Sequence, residues 1–391
     1  MNTTGTFAQH LLALTGLSRS ESTLSERRQA LPWEVFSRLM GAGLKVRATR
    51  KKHPQCFYRQ WRLLALDGAQ FSLSNTPKNL RAGKARSTGG GFTGFAKLLV
   101  AVLLEVGLHN PVAAAVGRPG QSEWSLSLSL LSHLPKNALL LGDRLYGCAY
   151  FIWSVLQNGG QCLVRVKEQF GVKPIGRRFK DGSQLVEVPV RDRKVPKKII
   201  QTMRLREIRV RIQRPGFKAR VLRFWTTLLD PKAAPALELA RLYTQRWEEE
   251  LYFRQLKIDL RRGDLLQSQT PETAMQEVAA MIICTALVAH YRTQAAQGEV
   301  SPLQISFGLT LEMLRPFWLM AALGQDILSP ATQNVLLQRT LQYLLNNALK
   351  PRRIRTCLRG VRQRRKGWPK ITKPISCTQP VTCEIFNTSY P

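Results

Sequence analysis

The sequence predicts an α/β protein: a core of strands and helices around a mixed sheet, a β-rich segment inserted into that core, and helical regions at both ends. Three observations carry this. Between residues 61 and 167, short apolar runs of strand length alternate with helical patterns. Residues 168–230 switch to alternating apolar and polar positions with basic residues among them. The flanks, 1–60 and 231–391, carry helical spacing. The expected organisation is therefore a basic helical region (1–60), a first part of the core (61–167), the insertion (168–230), a second part of the core (231–300) and a helical end with a basic tail (301–391).

Taken in order, Ser22-Thr-Leu-Ser-Glu-Arg-Arg28 offers capping residues before a helical pattern. The run from Arg47 to His53 is strongly basic, either a solvated surface or a phosphate contact. Arg62 to Leu66 reads as a strand ending at Asp67-Gly68, and two more strands follow at Phe95–Gly107 and Val112–Val116. Ser122–Leu134 has helical spacing. Ala138–Gly142 is a strand ending at Asp143, Ala149–Gln157 a helix and Cys162–Lys167 another strand. Gln184–Val190, Arg204–Gln213 and Arg220–Leu228 are the strands of the insertion. A long helix then runs from about 236 to 260, with further helices over 271–296 and 305–348. From Lys350 to Lys370 the chain is a basic tail.

Charge narrows the function. Lys and Arg number 59 against 25 acidic residues, a net +34 over 391 residues. A field of that size attracts polyanions, so nucleic acid is the leading partner and an anionic membrane surface the second. The longest apolar stretch, Phe92–Val116, is interrupted by Lys97, Glu105, His109, Asn110 and Pro111. That leaves no clean run of the ~20 residues a span needs. The N-terminus shows no basic segment followed by an apolar core, so a cytoplasmic protein is expected, working on the nucleoid. Seven scattered cysteines with no C-x-x-C pair argue against a disulfide framework or a zinc site. Five histidines, none at ligand spacing, leave oxygen as the donor for any metal.

Asp67 and Asp143 share a setting: each ends an apolar run, LLALD and LLLGD. Groups just beyond the carboxyl ends of strands are the usual active groups of open α/β sheets. An Asp also starts ordinary turns, so neither residue is decisive alone. The third element is the helix from Leu242 to Leu260. At about 100° per residue, Tyr243, Arg246, Glu250, Arg254 and Lys257 fall within an arc of about 80°. Apolar residues edge this stripe, with Trp247, Leu251 and Ile258 on one side and Leu242, Phe253, Leu256 and Leu260 on the other. Glu248, Tyr252, Gln255 and Asp259 make the solvent face. An exposed Arg246–Glu250–Arg254 ladder would give the same four-residue spacing. A polar stripe between two buried ones also suits a groove, where three carboxylates serve two divalent ions in phosphodiester chemistry. Arg, Lys and Tyr beside them hold phosphate oxygens.

Tyr243-x2-Arg246-x3-Glu250-x6-Lys257 is the Y-R-E-K signature, and with LLALDG at Asp67 and LLLGDRLYG at Asp143 the chain resembles bacterial insertion-sequence DDE transposases of the IS-four type. The resemblance runs from about residue 23 to 370. Ala69 and Leu145 stand where the family often has Thr and Gly. It implies a ribonuclease-H-like core and Mg2+, or Mn2+ as a substitute, as two ions held by Asp67, Asp143 and Glu250. It implies metal-dependent cleavage and strand transfer in cut-and-paste transposition of an element with inverted terminal repeats, by a homodimer in a synaptic complex on double-stranded DNA. Tyr243, Arg246 and Lys257 become contacts to the terminal phosphates, with Arg254 and Arg144 beside them. In such enzymes a flipped base stacks on an aromatic of the insertion, for which Phe224 and Trp225 are the candidates. The competing expectation is a DNA-binding relic that keeps the fold and has lost the chemistry.

Overall fold

A computed structural model of the chain describes residues 7–81, 84–86, 92–117, 121–193, 195, 197–213, 220–261, 263, 265–324, 326–350 and 382–385. The basic tail expected over 350–370 lies, beyond Lys350, outside the described residues. The chain divides into two compact units, both discontinuous in sequence. The first holds Met1–Leu141, Ser154–Gly160 and Arg246–Leu349; the second holds Gly142–Trp153, Gln161–Gln245 and Lys350–Pro391.

The first unit opens with three helices, α1 (Phe7–Thr15), α2 (Glu21–Ala30) and α3 (Trp33–Gly43). The cap of α2 is Ser20, just ahead of the segment Ser22–Arg28 expected to supply it, and its hydroxyl accepts from the Thr23 N–H at 3.2 Å. Strand β1 (Phe57–Tyr58) pairs with β2 (Trp61–Ser72), and β2 pairs antiparallel with β4 (Phe92–Glu105). Between β2 and β4 lie helix α4 (Pro77–Arg81) and strand β3 (Lys84–Arg86), and β3 and β5 (Asn110–Val116) both pair with β4. Helix α5 (Glu123–Leu130) follows, and strand β6 (Ala138–Gly142) returns beside β2. Three antiparallel strands, a helix, and a fourth strand laid against the first give a ribonuclease-H-like arrangement in a mixed sheet. Leu98 to Leu104 of β4 are all buried, as a strand covered on both faces must be.

Asp67 corrects the sequence reading. It does not end a strand, because β2 runs on through Asp67-Gly68 to Ser72 and Asp67 pairs with Val102. The Asp-Gly turn signal loses to the apolar alternation that continues at Ala69, Phe71 and Leu73, all buried, which demands a longer partner for β4. Helix α9 (Pro271–Ala296) packs against this sheet through Ala274, Val278, Ile282 and Ala286. By length and composition it could cross a membrane, yet 67% of its most apolar window is buried inside the protein. It is a core helix. The region 305–348 is two helices, α10 (Phe307–Leu323) and α11 (Pro330–Asn346).

The second unit contains the β-rich segment. Strands β7 (Gln161–Arg165), β8 (Lys173–Ile175), β9 (Gln184–Arg191), β10 (Ile199–Gln213) and β11 (Arg220–Thr226) lie in the order β7-β11-β10-β9-β8, every pair antiparallel. A short strand, β12 (Thr382–Ile385), adds to the end of β10. Helix α6 (Ala149–Gln157) is divided between the units, and α7 (Ala236–Tyr243) belongs to the second. Asp181 fixes the start of α7 by accepting the Ala236 N–H at 2.9 Å.

The predicted helix over 236–260 is not continuous. After α7 the chain makes a 3-10 turn, Thr244–Arg246, then α8 (Trp247–Arg254), and then a π-helical turn, Gln255–Leu260. Angles counted at a constant 100° therefore fail on both sides of α8. Trp247 and Ile258, placed on a buried edge, are each 54% exposed, whereas Tyr252 and Gln255, placed on the solvent face, are buried. The inward face of α8 and the turn is Glu249, Tyr252, Phe253 and Leu256. The Tyr252 hydroxyl finds its partner inside, 3.0 Å from Thr285 Oγ1.

Candidate active site

In the first unit, β2 carries Asp67 and α8 carries Glu250, and one guanidinium joins them. Arg246, the last residue of the 3-10 turn, donates from Nη2 to Glu250 Oε1 at 2.6 Å. Its Nη1 stands 3.7 Å from Asp67 Oδ2. All three side chains are partly exposed. The Asp67 carboxylate is turned by its neighbour, accepting the Gly68 N–H at Oδ1, 2.9 Å away. Gly68 leaves room for a neighbour: a Cβ at this position would lie 2.5 Å from Glu123 Cγ and Cδ, so the Glu123 side chain rests on the bare Cα and would have to shift for any other residue. Of the possible surface ladder, the Arg246–Glu250 rung forms, and Arg254 is exposed.

Glu249 is the residue the sequence reading missed. It is fully buried, its carboxylate has no side-chain hydrogen-bond partner among the described residues, and the Asp67 backbone N–H is a group that favours its charge. Burial first, and then the charge of Asp67, pushes its pKa well above the usual carboxylate range, against the pull of Arg246. A signal was present: Tyr252, Phe253 and Leu256 stand three, four and seven residues on, which makes Glu249 the first member of an inward stripe.

Lys257 lies in the π turn. Its Nζ donates to the Gln70 carbonyl of β2 at 2.7 Å and stands 5.3 Å from the centre of the Phe71 ring. His109, between β4 and β5, holds both ends of this helical stretch. Its Nε2 is 2.7 Å from Glu248 Oε2 and its Nδ1 2.9 Å from Gln255 Oε1. Burial lowers the His109 pKa, opposed by the hydrogen bond to Glu248. The backbone that presents Glu250 is thus pinned on either side to the sheet.

In the second unit, Asp143 follows β6 directly, as expected, and its Oδ1 accepts the Leu145 N–H at 2.6 Å. Arg144 beside it is exposed. Gly147 closes this turn against β7, where a Cβ would meet the Arg165 carbonyl at 2.1 Å. Tyr243, half-buried at the end of α7, packs its ring 4.6 Å from that of Phe224. Trp225 corrects the expectation of a base-stacking aromatic: it is 1% exposed, donates from Nε1 to Glu207 at 2.9 Å and packs on Phe170. It is a core residue of the insertion. Phe224 is equally buried.

The structure therefore brings Asp67, Arg246 and Glu250 together, with Lys257 on the same unit, and places Asp143, Arg144, Tyr243 and Trp225 in the other. The donors of the first unit suit a hard divalent ion: carboxylate oxygens from Asp67 and Glu250, with the buried Glu249 carboxyl close to Asp67. They form a pair around a guanidinium. Among the described residues no three His, Cys, Asp or Glu side chains make a group that could hold a metal ion.

Comparison with known proteins supplies the family to which this fold and this site belong. The family described as Transposase DDE domain matches residues 61–287, more than half of the chain, and the chain belongs to that family. It is 26% identical over 305 residues to the transposase InsG for insertion sequence element IS4 of Escherichia coli (strain K12), covering 75% of this chain and 67% of that protein. Among solved structures it is similar to a chain of the piggyBac transposase synaptic complex with hairpin DNA, with a TM-score of 0.42 and 10% identity. That match covers 75% of this chain and 59% of the other.

Proposed function

We propose that the protein is a DNA transposase that cleaves and rejoins phosphodiester bonds in the cut-and-paste movement of an insertion sequence. Asp67, Asp143 and Glu250 are its metal ligands. The observation that carries this reading is the meeting of Asp67 and Glu250, remote in sequence, on Arg246 within the segment the transposase family matches. Two Mg2+ ions, or Mn2+ in their place, would supply activation of the attacking oxygen and stabilisation of the leaving one. The chain's own residues bind and orient the strand. Arg246 and Lys257 offer fixed cations to phosphate oxygens, Tyr243 a hydroxyl, and Arg254 and Arg144 exposed charge nearby in sequence. The net +34 draws duplex DNA to the surface, and two copies would pair the element ends. The work would be done in the cytoplasm, on the nucleoid.

The test is cleavage of a labelled element-end duplex in Mg2+, beside gel-shift binding of the same duplex. Glu250→Gln keeps size and removes the charge, so cleavage should collapse while binding survives. Near wild-type cutting by Glu250→Gln would reduce Glu250 to a surface ion pair and overturn the assignment. A wild-type chain that binds the ends and never nicks them is instead a relic of a transposase.

A further inference from the structure

We propose that Arg246 is the internal counter-ion of the acidic pair and couples metal binding to DNA binding. This rests on reading Asp67 and Glu250 as metal ligands and goes beyond it, since it assigns the order in which the site can be filled. The guanidinium stands where two carboxylates converge, 2.6 Å from Glu250 Oε1 and 3.7 Å from Asp67 Oδ2. It cannot lose its charge at any pH a protein survives. A dication approaching these oxygens meets a fixed positive charge on the same ground and must displace it from at least one carboxylate. The looser contact, to Asp67, is the one that yields first.

Position makes Arg246 suited to this. It is the residue where the 3-10 turn passes into α8, so its backbone is anchored while its side chain reaches across to β2. The other signature cation of the unit, Lys257, is turned to the Gln70 carbonyl and the Phe71 ring. A planar guanidinium also binds phosphate in a two-pronged fashion, at least as well as it binds a carboxylate. A phosphate arriving at the site therefore competes for Arg246 and frees Asp67 and Glu250 for the cation. Because the two equilibria share one group, the coupling is reciprocal: DNA raises metal affinity and metal raises DNA affinity by the same factor. The uncomplexed protein would then hold metal weakly and acquire it on its substrate.

The experiment is Mn2+ binding to the full chain, read from the resonance of free Mn2+, with and without a short duplex whose own Mn2+ uptake is subtracted. Wild type should gain about tenfold in Mn2+ affinity on adding duplex, the factor that corresponds to about 1.4 kcal/mol. Arg246→Gln should bind Mn2+ about tenfold more tightly than wild type without DNA, and gain less than about twofold from it. Arg246→Lys, which keeps the charge, should stay within about threefold of wild type in the DNA-free state. Circular dichroism confirms that each variant is folded. If Arg246→Gln binds Mn2+ no more tightly than wild type while Glu250→Gln abolishes binding, the ligand assignment stands and the coupling is refuted. If Glu250→Gln leaves Mn2+ binding unchanged, the metal lies elsewhere and both fall.

Discussion

Glu105 sits at the end of β4, fully buried, and gathers four donors. Its Oε2 accepts the Arg47 N–H at 2.8 Å and the Asn110 side-chain amide at 2.7 Å; its Oε1 accepts the Ala48 N–H at 3.2 Å and the Arg62 guanidinium. Arg62 also donates to the Ala48 carbonyl at 2.9 Å and lies 4.9 Å over the Phe57 ring. Glu105→Gln has the same shape but only one acceptor oxygen, and its amide would face donors. At least one buried donor then loses its partner, a cost of about 1–3 kcal/mol, and the remaining bonds lose their charge assistance, about another 1 kcal/mol. Arg62 is 16% exposed, so water recovers part of its share. The net should be about 3 kcal/mol, a fall in Tm of roughly 6–12 °C for a unit of this size. Thermal melts at neutral pH measure it, and Arg62→Met in both backgrounds should expose a coupling above about 1 kcal/mol. A Glu105→Gln protein within about 0.5 kcal/mol of wild type would refute the claim that this carboxylate fastens the basic run to the sheet.

Glu249→Gln should stabilise the protein at neutral pH. The folded pKa of Glu249 is raised, so its contribution is complete below the ordinary carboxylate pKa and is lost as pH rises through the folded value. That loss runs at about 1.4 kcal/mol per pH unit within the window. The variant should match wild type near pH 4 and exceed it increasingly above about pH 5; parallel stability curves would contradict this. Trp225→Phe removes the Nε1 donor from Glu207 and should cost about 1–2 kcal/mol in denaturant melts. Duplex affinity should change less than twofold, and a larger loss would return Trp225 to the DNA-contacting set.

What could be read in advance depended on how local the controlling forces were. LLLGD delivered both β6 and the position of Asp143, because five consecutive buried residues leave a strand no alternative. LLALDG misled, since its continuation through Gly68 is dictated by a partner strand some thirty residues away. The helix carrying Glu250 was legible as helix. Its faces were not, because a 3-10 turn and a π turn shift the phase without any mark in hydrophobic spacing. Phe224 and Trp225 are neighbours on opposite faces of β11, and both are buried, so alternation offers no outward aromatic there. The run from Arg47 to His53 resolves into two parts. Arg47 and His53 are engaged within the fold, with Arg47 Nη1 3.0 Å from His290 Nδ1 and the Thr49 N–H bonded to His53. Arg50, Lys51 and Lys52 remain exposed.

The π turn at Gln255–Leu260 has a consequence for how this segment tolerates change in length. Such a turn is an α-helix that has absorbed one surplus residue. Deleting one residue between Arg254 and Arg261 would let the backbone relax into the commoner helix, at the expense of the core packing of Leu256 and Leu260. It would also rotate Lys257 away from the Gln70 carbonyl and slide Gln255 off His109. Residue count is therefore a working part of this segment, as much as residue identity. Substitutions across Gln255–Leu260 act one position at a time, whereas a single-codon deletion rephases several residues of the turn at once.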